Sequence, residues 1–414
     1  MTKFIAHRVT NREMHILTIV YKFRGLTIEQ LVRQLCLELN RPYSKTIKYN
    51  TYKILNSLDK SRYIITETIR LHRAMDFIYL TELGIEKVAE HLGIMPLHTG
   101  SGWNEDYGDF PFPLQKPPRN LHHVLLTEAL LELEKLKVQH RHWQLDYRDN
   151  RYCAQLYDWQ GEQYVFRPDA ALRIGEKIFF VEIDRGTEFI EKLKEKFEGY
   201  HRYFSYLKQN KKPIPYGVVF VSDKENKNDF NRRWALIKQA FYSEMGQWYT
   251  VFNLMACKEI SDIKNLIVRQ ITRNDVFQDF SKKINYYTHH DNIKFGKHDL
   301  GWSDAAAAIV QTDTGQRYYA FERVEEFETI GLCRLYEFGK KFGNGIKEYI
   351  PILFYTGGAI LRHVFRGFED EELITTLQEN LIWLNIKKEP LWFDKNGNRI
   401  NTGNPLLSMA KLTC

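Results

Sequence analysis

The 414-residue sequence predicts an α/β protein that is divided into three parts. The first 95 residues show helical periodicity that ends in two strand-like runs, whereas the rest alternates strands with helices. Between them, the segment 96–118 contains five of the twelve prolines and three glycines, which predicts a linker. Hydrophobic residues make up 43% and charged residues 27%, as is typical of a soluble protein, and no apolar run is long enough to span a membrane.

The cysteines and the N-terminal sequence indicate the compartment. Five cysteines occur without a CxxC pair, which favours reduced thiols over a metal or redox motif. The N-terminal sequence MTKFIAHRVT lacks the apolar core of a signal peptide. We therefore expect a cytoplasmic protein.

The positive charge is concentrated in the first segment. Residues 1–62 contain twelve Lys and Arg against four Asp and Glu, a surplus of eight, whereas the whole chain has a net charge of +7. Such asymmetry is typical of a segment that binds a polyanion such as DNA. The alternative is a basic surface that has no partner.

The N-terminal part is expected to contain three helices, two strands and a further helix. In the second helix, Thr27 stands three residues before Gln30, which is the spacing of a capping box. In the third helix, Ile47, Leu55 and Leu58 form an apolar stripe together with Thr51 or Tyr52. The predicted bounds are 11–23, 26–35, 44–60, 63–72, 74–80 and 81–93.

This element order is that of a winged helix-turn-helix, with 44–60 as the recognition helix and the two strands as the wing. The phrase IYLTELGIEKVAEHLG resembles the end of many bacterial winged-helix domains. Lys and Arg suit DNA phosphates, whereas Tyr49 and Asn50 suit base edges. An alternative is that the same surface contacts a protein. The predicted DNA-binding residues are Lys45, Lys48, Tyr49, Asn50, Lys53, Arg62, Arg70 and Arg73.

The middle part carries three carboxylates at the ends of two predicted strands. Asp169 leads the first strand, and Glu182 and Asp184 end the second, on one face because strand residues two apart point the same way. Converging carboxylates suit a hard cation, so we predict a catalytic site that binds Mg²⁺ or Mn²⁺. The alternative is a set of charged strand ends. The predicted elements are an amphipathic helix 120–137, strands 166–174 and 177–183, and a helix 187–208.

Two lysines of helix 187–208, Lys192 and Lys196, are candidates to contact a scissile phosphate. The alternative for Lys192 is an i,i+4 ion pair with Glu188 on the surface. The adjacent His122 and His123 are expected at the surface, because such pairs on helices are rarely zinc ligands.

The phrases F-R-P-D-A and F-F-V-E-I-D-R-G-T-E, followed by Lys196 and Tyr200, carry a family resemblance. Pro168-Asp169 and Glu182-Ile183-Asp184 look like the PD-(D/E)XK nuclease fold, and the longer phrases are similar to the replication-relaxation family of plasmids and integrative elements. The resemblance covers roughly residues 10–245. It implies a winged helix followed by a nuclease-like domain, DNA binding, and a role in plasmid replication or relaxation. Asp184 stands where a nuclease has lysine, which leaves catalysis open.

The last third is expected to be a second, degenerate copy of the nuclease-like domain. Ser303-Asp304-Ala305 aligns with Pro168-Asp169-Ala170, and 350–356 aligns with 214–222. Val324 occupies the third carboxylate position, so a packing or DNA-clamping role is expected there. The predicted domains are 1–95 (winged helix), 96–118 (linker), 119–271 (restriction-endonuclease-like) and 272–414 (degenerate copy).

Two functions therefore compete. The first is a metal-dependent DNA nickase or endonuclease of a mobile element, with Asp169, Glu182 and Asp184 as metal ligands and Lys192 or Lys196 assisting. The alternative is a non-catalytic DNA-binding initiator or transcriptional regulator that uses the nuclease-like fold for binding. Expected partners are double-stranded DNA at an origin or element end, a second copy of the chain, and a replication, transfer or recombinase protein.

Overall fold

The fold was described from a computed structural model. The structure describes residues 9–70, 74–93, 120–186 except 141 and 151–152, 188–222, 230–272, and parts of the chain between 279 and 407. The predicted linker 96–118, Arg73 and Ser303–Ala305 lie outside the described residues. Within the described residues, no helix is long and apolar enough to cross a membrane.

The N-terminal module has the element order that the sequence predicts, with one additional short strand. That strand, β1, joins the hairpin to form an antiparallel sheet of order β1–β3–β2. This is the connectivity expected of a winged helix. The elements are α1 (Asn11–Phe23), β1 (Leu26–Thr27), α2 (Ile28–Glu38), α3 (Lys45–Lys60), β2 (Ile64–Arg70), β3 (Ala74–Leu80) and α4 (Glu82–Leu92).

Local sequence explains where the helices of this module begin. The predicted capping box of α2 is present, since Thr27 and Gln30 each bond the other's backbone N–H at 3.2 and 2.9 Å. In α4, Gly84 is required by close packing, because a Cβ at this position would lie 2.1 Å from the carbonyl oxygen of Tyr63. The glycine of the L-T-x-x-G phrase thus allows α4 to pack against the start of the wing.

The central sheet has five strands in the order β10–β9–β8–β7–β4. The predicted strand 166–174 is two strands, because residues up to Phe166 pair with a separate strand in a two-stranded hairpin, β5–β6. The elements are α5 (Asn120–Gln139), β4 (Leu145–Asp149), β5 (Gln155–Trp159), β6 (Glu162–Phe166), β7 (Ala170–Ile174), β8 (Lys177–Asp184), α6 (Ile190–Gln209), β9 (Gly217–Ser222), α7 (Phe230–Met245), β10 (Asn253–Cys257) and α8 (Ile263–Ile271).

Helix α5 is buried over more of its surface than the predicted amphipathic pattern implies. Leu125, Leu126, Leu130, Leu131 and Leu133 all lie in the core, and they cover more than one face of the helix. The helix contacts α2, β1 and β2 of the N-terminal module and also β8 of the central sheet. The prediction of one apolar face was wrong because α5 is packed between two partners.

The C-terminal sheet has six strands in the order β11–β12–β13–β14–β15–β16. An antiparallel pair, β12–β13, is followed by a helix and by a strand parallel to β13, which is the order hairpin, helix, strand that β7, β8, α6 and β9 also have. The duplication remains a prediction. The elements are β11 (Ile293–Lys297), β12 (Ala306–Thr312), β13 (Gly315–Arg323), α9 (Ile330–Phe342), β14 (Tyr349–Tyr355), β15 (Ile382–Asn385) and β16 (Leu391–Phe393).

By its internal contacts the chain divides into two compact units. The first comprises Met1–Thr187, Val219–Lys227 and Cys257–Lys264. The second comprises Glu188–Val218, Asn228–Ala256 and Asn265–Cys414. The N-terminal module and the carboxylate-bearing strands β7 and β8 therefore belong to the same unit.

Candidate DNA-binding face and carboxylate centre

Helix α3 is buried on one side and presents basic and polar groups on the other. Thr51, Leu55 and Leu58 are buried, which resolves the stripe in favour of Thr51 over Tyr52. Lys45, Tyr49 and Lys53 are exposed, and Asn50 is half-buried. The helix therefore has a buried side and an exposed side, and the predicted DNA contacts of α3 lie outside its buried stripe.

Lys48 differs from the other lysines of this face. Its Nζ donates a hydrogen bond to Glu29 Oε1 at 2.6 Å. This hydrogen bond raises the pKa of Lys48, so the amine stays protonated while its charge is offset by the carboxylate. Lys53 instead lies over the ring of Tyr49, with Nζ 4.5 Å from the ring centroid. On this face, the charge of Lys48 is offset by Glu29, whereas Lys53 lies against an uncharged ring and its charge is not offset by that contact.

The remaining predicted DNA contacts lie at the end of α3 and on the wing. Arg62 is exposed directly after α3, and Arg70 is exposed at the last residue of β2. Arg73 falls between β2 and β3, outside the residues that the structure describes. A recognition helix followed by basic groups on a hairpin suits a duplex, because the helix faces a groove while the hairpin reaches the adjacent backbone.

The strand register brings the three predicted carboxylates to one face of the central sheet. Strands β7 and β8 are antiparallel with Ala170 opposite Val181, so Asp169 is opposite Glu182 in the next pair. Asp184 is two residues beyond Glu182 and therefore points to the same side. Glu182 and Asp184 are each only 4% exposed. Glu182 and Asp184 lie at the end of β8 as predicted, whereas Asp169 precedes β7, which begins at Ala170.

Hydrogen bonds hold two of these carboxylates in place. Asp169 Oδ2 accepts the backbone N–H of Ile183 at 2.8 Å. Asp184 Oδ1 accepts the N–H of Gly186 at 3.0 Å, in a turn where the φ of +68° at Gly186 favours glycine. The E-I-D-R-G phrase therefore combines a carboxylate centre with the turn that fixes its last member.

A histidine that the sequence analysis placed at the surface belongs to this centre. His122 Nε2 lies 2.8 Å from Asp169 Oδ2, and both side chains are 19% exposed. The next residue, His123, is buried, and its Nε2 lies 2.8 Å from the carbonyl oxygen of Phe23 and 3.0 Å from that of Gly25. The expectation of two surface histidines was wrong, because α5 is covered on both of these sides.

The donor chemistry of the centre suits Mg²⁺ or Mn²⁺, but the side chains are not gathered around one point. Among the described residues, no group of three or more His, Cys, Asp or Glu is arranged to hold a metal ion. Asp169 Oδ2 is already within 2.8 Å of a backbone N–H and an imidazole nitrogen. In this arrangement, a metal ion does not fit without rearrangement of these side chains.

The two predicted phosphate-contacting lysines lie on α6 in the second unit. Lys192 is exposed. Lys196 is half-buried, and its Nζ lies 3.5 Å from Glu188 Oε2. The predicted alternative paired Glu188 with Lys192; the ion pair in the structure uses Lys196.

Within the first unit, polar contacts fix the N-terminal module to α5 and to the residue that follows β4. Gln30 Nε2 donates to the carbonyl oxygen of Val124 at 2.9 Å and to Glu128 Oε1 at 3.0 Å. Arg24 Nη1 donates to Asn150 Oδ1 at 2.6 Å. Because Gln30 is fully buried, each of these hydrogen bonds replaces one that water supplies in the unfolded chain. The N-terminal module is thus held to the part of the first unit that bears the carboxylates.

An ion pair extends the same junction. Lys22 Nζ lies 2.7 Å from Glu134 Oε1 of α5, and Lys137 also contacts this oxygen at 3.2 Å. Although burial acts to raise it, the two lysines hold the pKa of Glu134 below its ordinary value. The sequence alone offered no signal for the pairing of Lys22 with Glu134, because these two residues are 112 positions apart.

Comparison with protein families gives a match over part of the chain, whereas comparison with curated proteins gives none. Residues 17–216 match the family described as Replication-relaxation. The matched range begins in α1 and ends just before β9, so it includes the basic helix, α5 and the carboxylate-bearing hairpin. Over residues 17–216, this chain is therefore similar to the replication-relaxation family.

Proposed function

We propose that the protein binds duplex DNA through α3 and the β2–β3 hairpin, and that it acts in the replication or relaxation of a plasmid or other mobile element. The observation that carries this proposal is the exposed basic side of α3, which projects from a helix whose other side is packed in the core. The family of residues 17–216 supports the replication role. The concentration of positive charge in residues 1–62 supports the polyanion.

Direct binding to DNA tests this proposal. Fluorescence anisotropy with a labelled duplex compares wild type with a Lys45→Gln, Lys53→Gln double variant. The matched control is a Lys211→Gln, Lys212→Gln double variant, which removes the same charge from exposed lysines outside the N-terminal module. The proposal requires the first variant alone to lose affinity and salt dependence. Equal losses in both variants refute the assigned face, and undetectable binding by wild type refutes the function.

A second candidate function is metal-dependent cleavage or nicking of that DNA. It is favoured by one observation, the register that puts Asp169, Glu182 and Asp184 on one face at the end of the β7–β8 hairpin. Binding of Mg²⁺ or Mn²⁺ would first require these three side chains to rearrange around one point. An ion held by all three would offset charge on a phosphate and activate water. Lys192 and Lys196 are the proposed phosphate contacts. The alternative keeps the same surface for binding alone.

Nicking of a supercoiled plasmid that carries the element's own flanking DNA distinguishes the two candidates. Mg²⁺ and Mn²⁺ are compared with EDTA, and wild type is compared with Asp169→Ala, Glu182→Ala. Glu176→Gln, in the exposed turn between β7 and β8, is the matched acidic control. Nicking by wild type and by the Glu176→Gln control, but not by the Asp169→Ala, Glu182→Ala variant, supports the cleavage function. Tight binding without nicking supports the non-catalytic initiator or regulator. Homodimer formation and a replication, transfer or recombinase partner remain predictions.

A further inference from the structure

A groove of about 590 Å³ lies within the N-terminal module, between α1, the end of α2 and α3. Its apolar lining includes Ile16, Leu35, Leu39 and Ile47. Ile16 is buried beneath it, whereas Leu39 is 54% exposed. The volume falls within the range of about 300–1,000 Å³ that is typical of small-molecule sites. The groove is therefore large enough for a ligand and offers it apolar surface.

Cationic side chains stand at the edge of this groove. Arg12 and Arg41 both line it, and both are exposed. Among the described residues, neither arginine has a carboxylate at ion-pair distance. His15 also lines the groove, but it pairs with Glu38 at 2.8 Å. The edge thus carries two guanidinium groups whose charge the described part of the chain does not offset.

We propose that this groove binds a small monocarboxylate with an apolar tail. The tail would lie on the apolar lining, and the carboxylate would pair with Arg12 or Arg41, whose planar guanidinium groups suit it in two parallel hydrogen bonds. A second copy of the chain is a poorer occupant. A symmetric contact would oppose identical cationic edges, and like charges across an interface are unfavourable.

The position of the groove links the ligand to DNA binding. Thr46, Ile47 and Asn50 of α3 line it, and Asn50 is one of the predicted base-reading residues. A ligand in contact with these residues binds the helix that faces DNA. If the two ligands favour different positions of α3, each changes the affinity of the other by the same factor. In that case the groove would act as an effector site for the DNA-binding module.

Titration calorimetry on the full chain tests the proposal with octanoate as the probe, and with 1-octanol and acetate as controls. We expect saturable binding of octanoate that exceeds the affinity of either control by about tenfold, because only octanoate supplies both the charge and the tail. Arg12→Gln and Arg41→Gln together should abolish this preference over octanol. Lys60→Gln, which removes an exposed cation of the same module outside the groove, should leave it unchanged.

Equal affinities for octanoate and octanol, or an unchanged preference in the double arginine variant, would overturn the proposal. Loss of DNA affinity in that variant without octanoate binding by wild type would also overturn it and would assign both arginines to DNA phosphates. Circular dichroism of each variant shows whether it is folded. Octanoate binding is measured without DNA, so its failure is distinguishable from failure of the proposed DNA-binding function.

Discussion

The different environments of two lysines on α3 predict different effects of the same substitution. Lys48 is bonded to Glu29 at 2.6 Å, whereas Lys53 is exposed and contacts the ring of Tyr49. Lys53→Gln therefore removes a charge that is available to a phosphate. Lys48→Gln removes one that Glu29 already offsets, so we expect a smaller effect. Glu29→Gln should strengthen DNA binding, because it releases the charge of Lys48.

The magnitude follows from counterion release. The slope of log K against log salt concentration is negative, and each phosphate contact adds about 0.9 to its magnitude. Between about 50 and 200 mM salt, that slope corresponds to about a 3.5-fold change in affinity per contact. Lys53→Gln should lower the magnitude of this slope by about 0.9, and Lys48→Gln should lower it by clearly less. Glu29→Gln should raise the magnitude by up to about 0.9.

Anisotropy titrations of one duplex over this salt range give the three slopes. Thermal unfolding of each variant serves as the folding control. The reasoning is refuted if Lys48→Gln lowers the slope as much as Lys53→Gln. It is also refuted if Glu29→Gln weakens binding while the variant remains folded.

The remaining predictions concern the junction on α5. A protease site inserted within 96–118 and then cleaved should leave two fragments that co-elute in gel filtration, because the polar contacts with α5 hold them; separate elution contradicts this. In urea denaturation, Leu133→Ala should lower the free energy of unfolding by about 2–5 kcal/mol. Substitution of the exposed Val138 by Ala should lower it by less than about 0.5 kcal/mol. Equal losses would contradict the burial of Leu133 in the core. Lys22 and a second lysine lower the pKa of Glu134. Ionised Glu134 therefore stabilises the fold above its ordinary pKa of 4.5, and this stabilisation is lost as the pH falls through the lowered pKa. The stability difference between wild type and Glu134→Gln should therefore shrink in acid, and a constant difference would rule the ion pair out.

Local chemistry in the sequence was sufficient to locate the helices and the hairpin of the N-terminal module, but not the short strand β1. The capping box at Thr27 and Gln30 gave the start of α2, and α1 has the predicted bounds Asn11–Phe23. The same holds for the carboxylates of β8, because a strand has a fixed period of two residues. These features depend on neighbours within a few positions, and such neighbours are visible in the sequence.

Features that depend on distant partners were not predictable. The contacts of His122 with Asp169 and of Gln30 with Val124 join residues that lie 47 and 94 positions apart. The buried Glu134 looks like a surface residue until its distant partner Lys22 is known. Periodicity shows that a side chain is buried, but it does not show what covers it. The two-sided burial of α5 and the role of His122 therefore required the structure.

Lysine acetylation with and without duplex DNA, read by mass spectrometry, tests the central claim most directly. Each amine reports its own accessibility, and wild-type protein is used throughout. The account predicts that DNA protects Lys45 and Lys53 several-fold, whereas the exposed Lys211 keeps its reactivity. Unchanged reactivity of Lys45 and Lys53 in a DNA-saturated sample, with protection elsewhere, would contradict the assignment of the N-terminal module as the DNA-binding face.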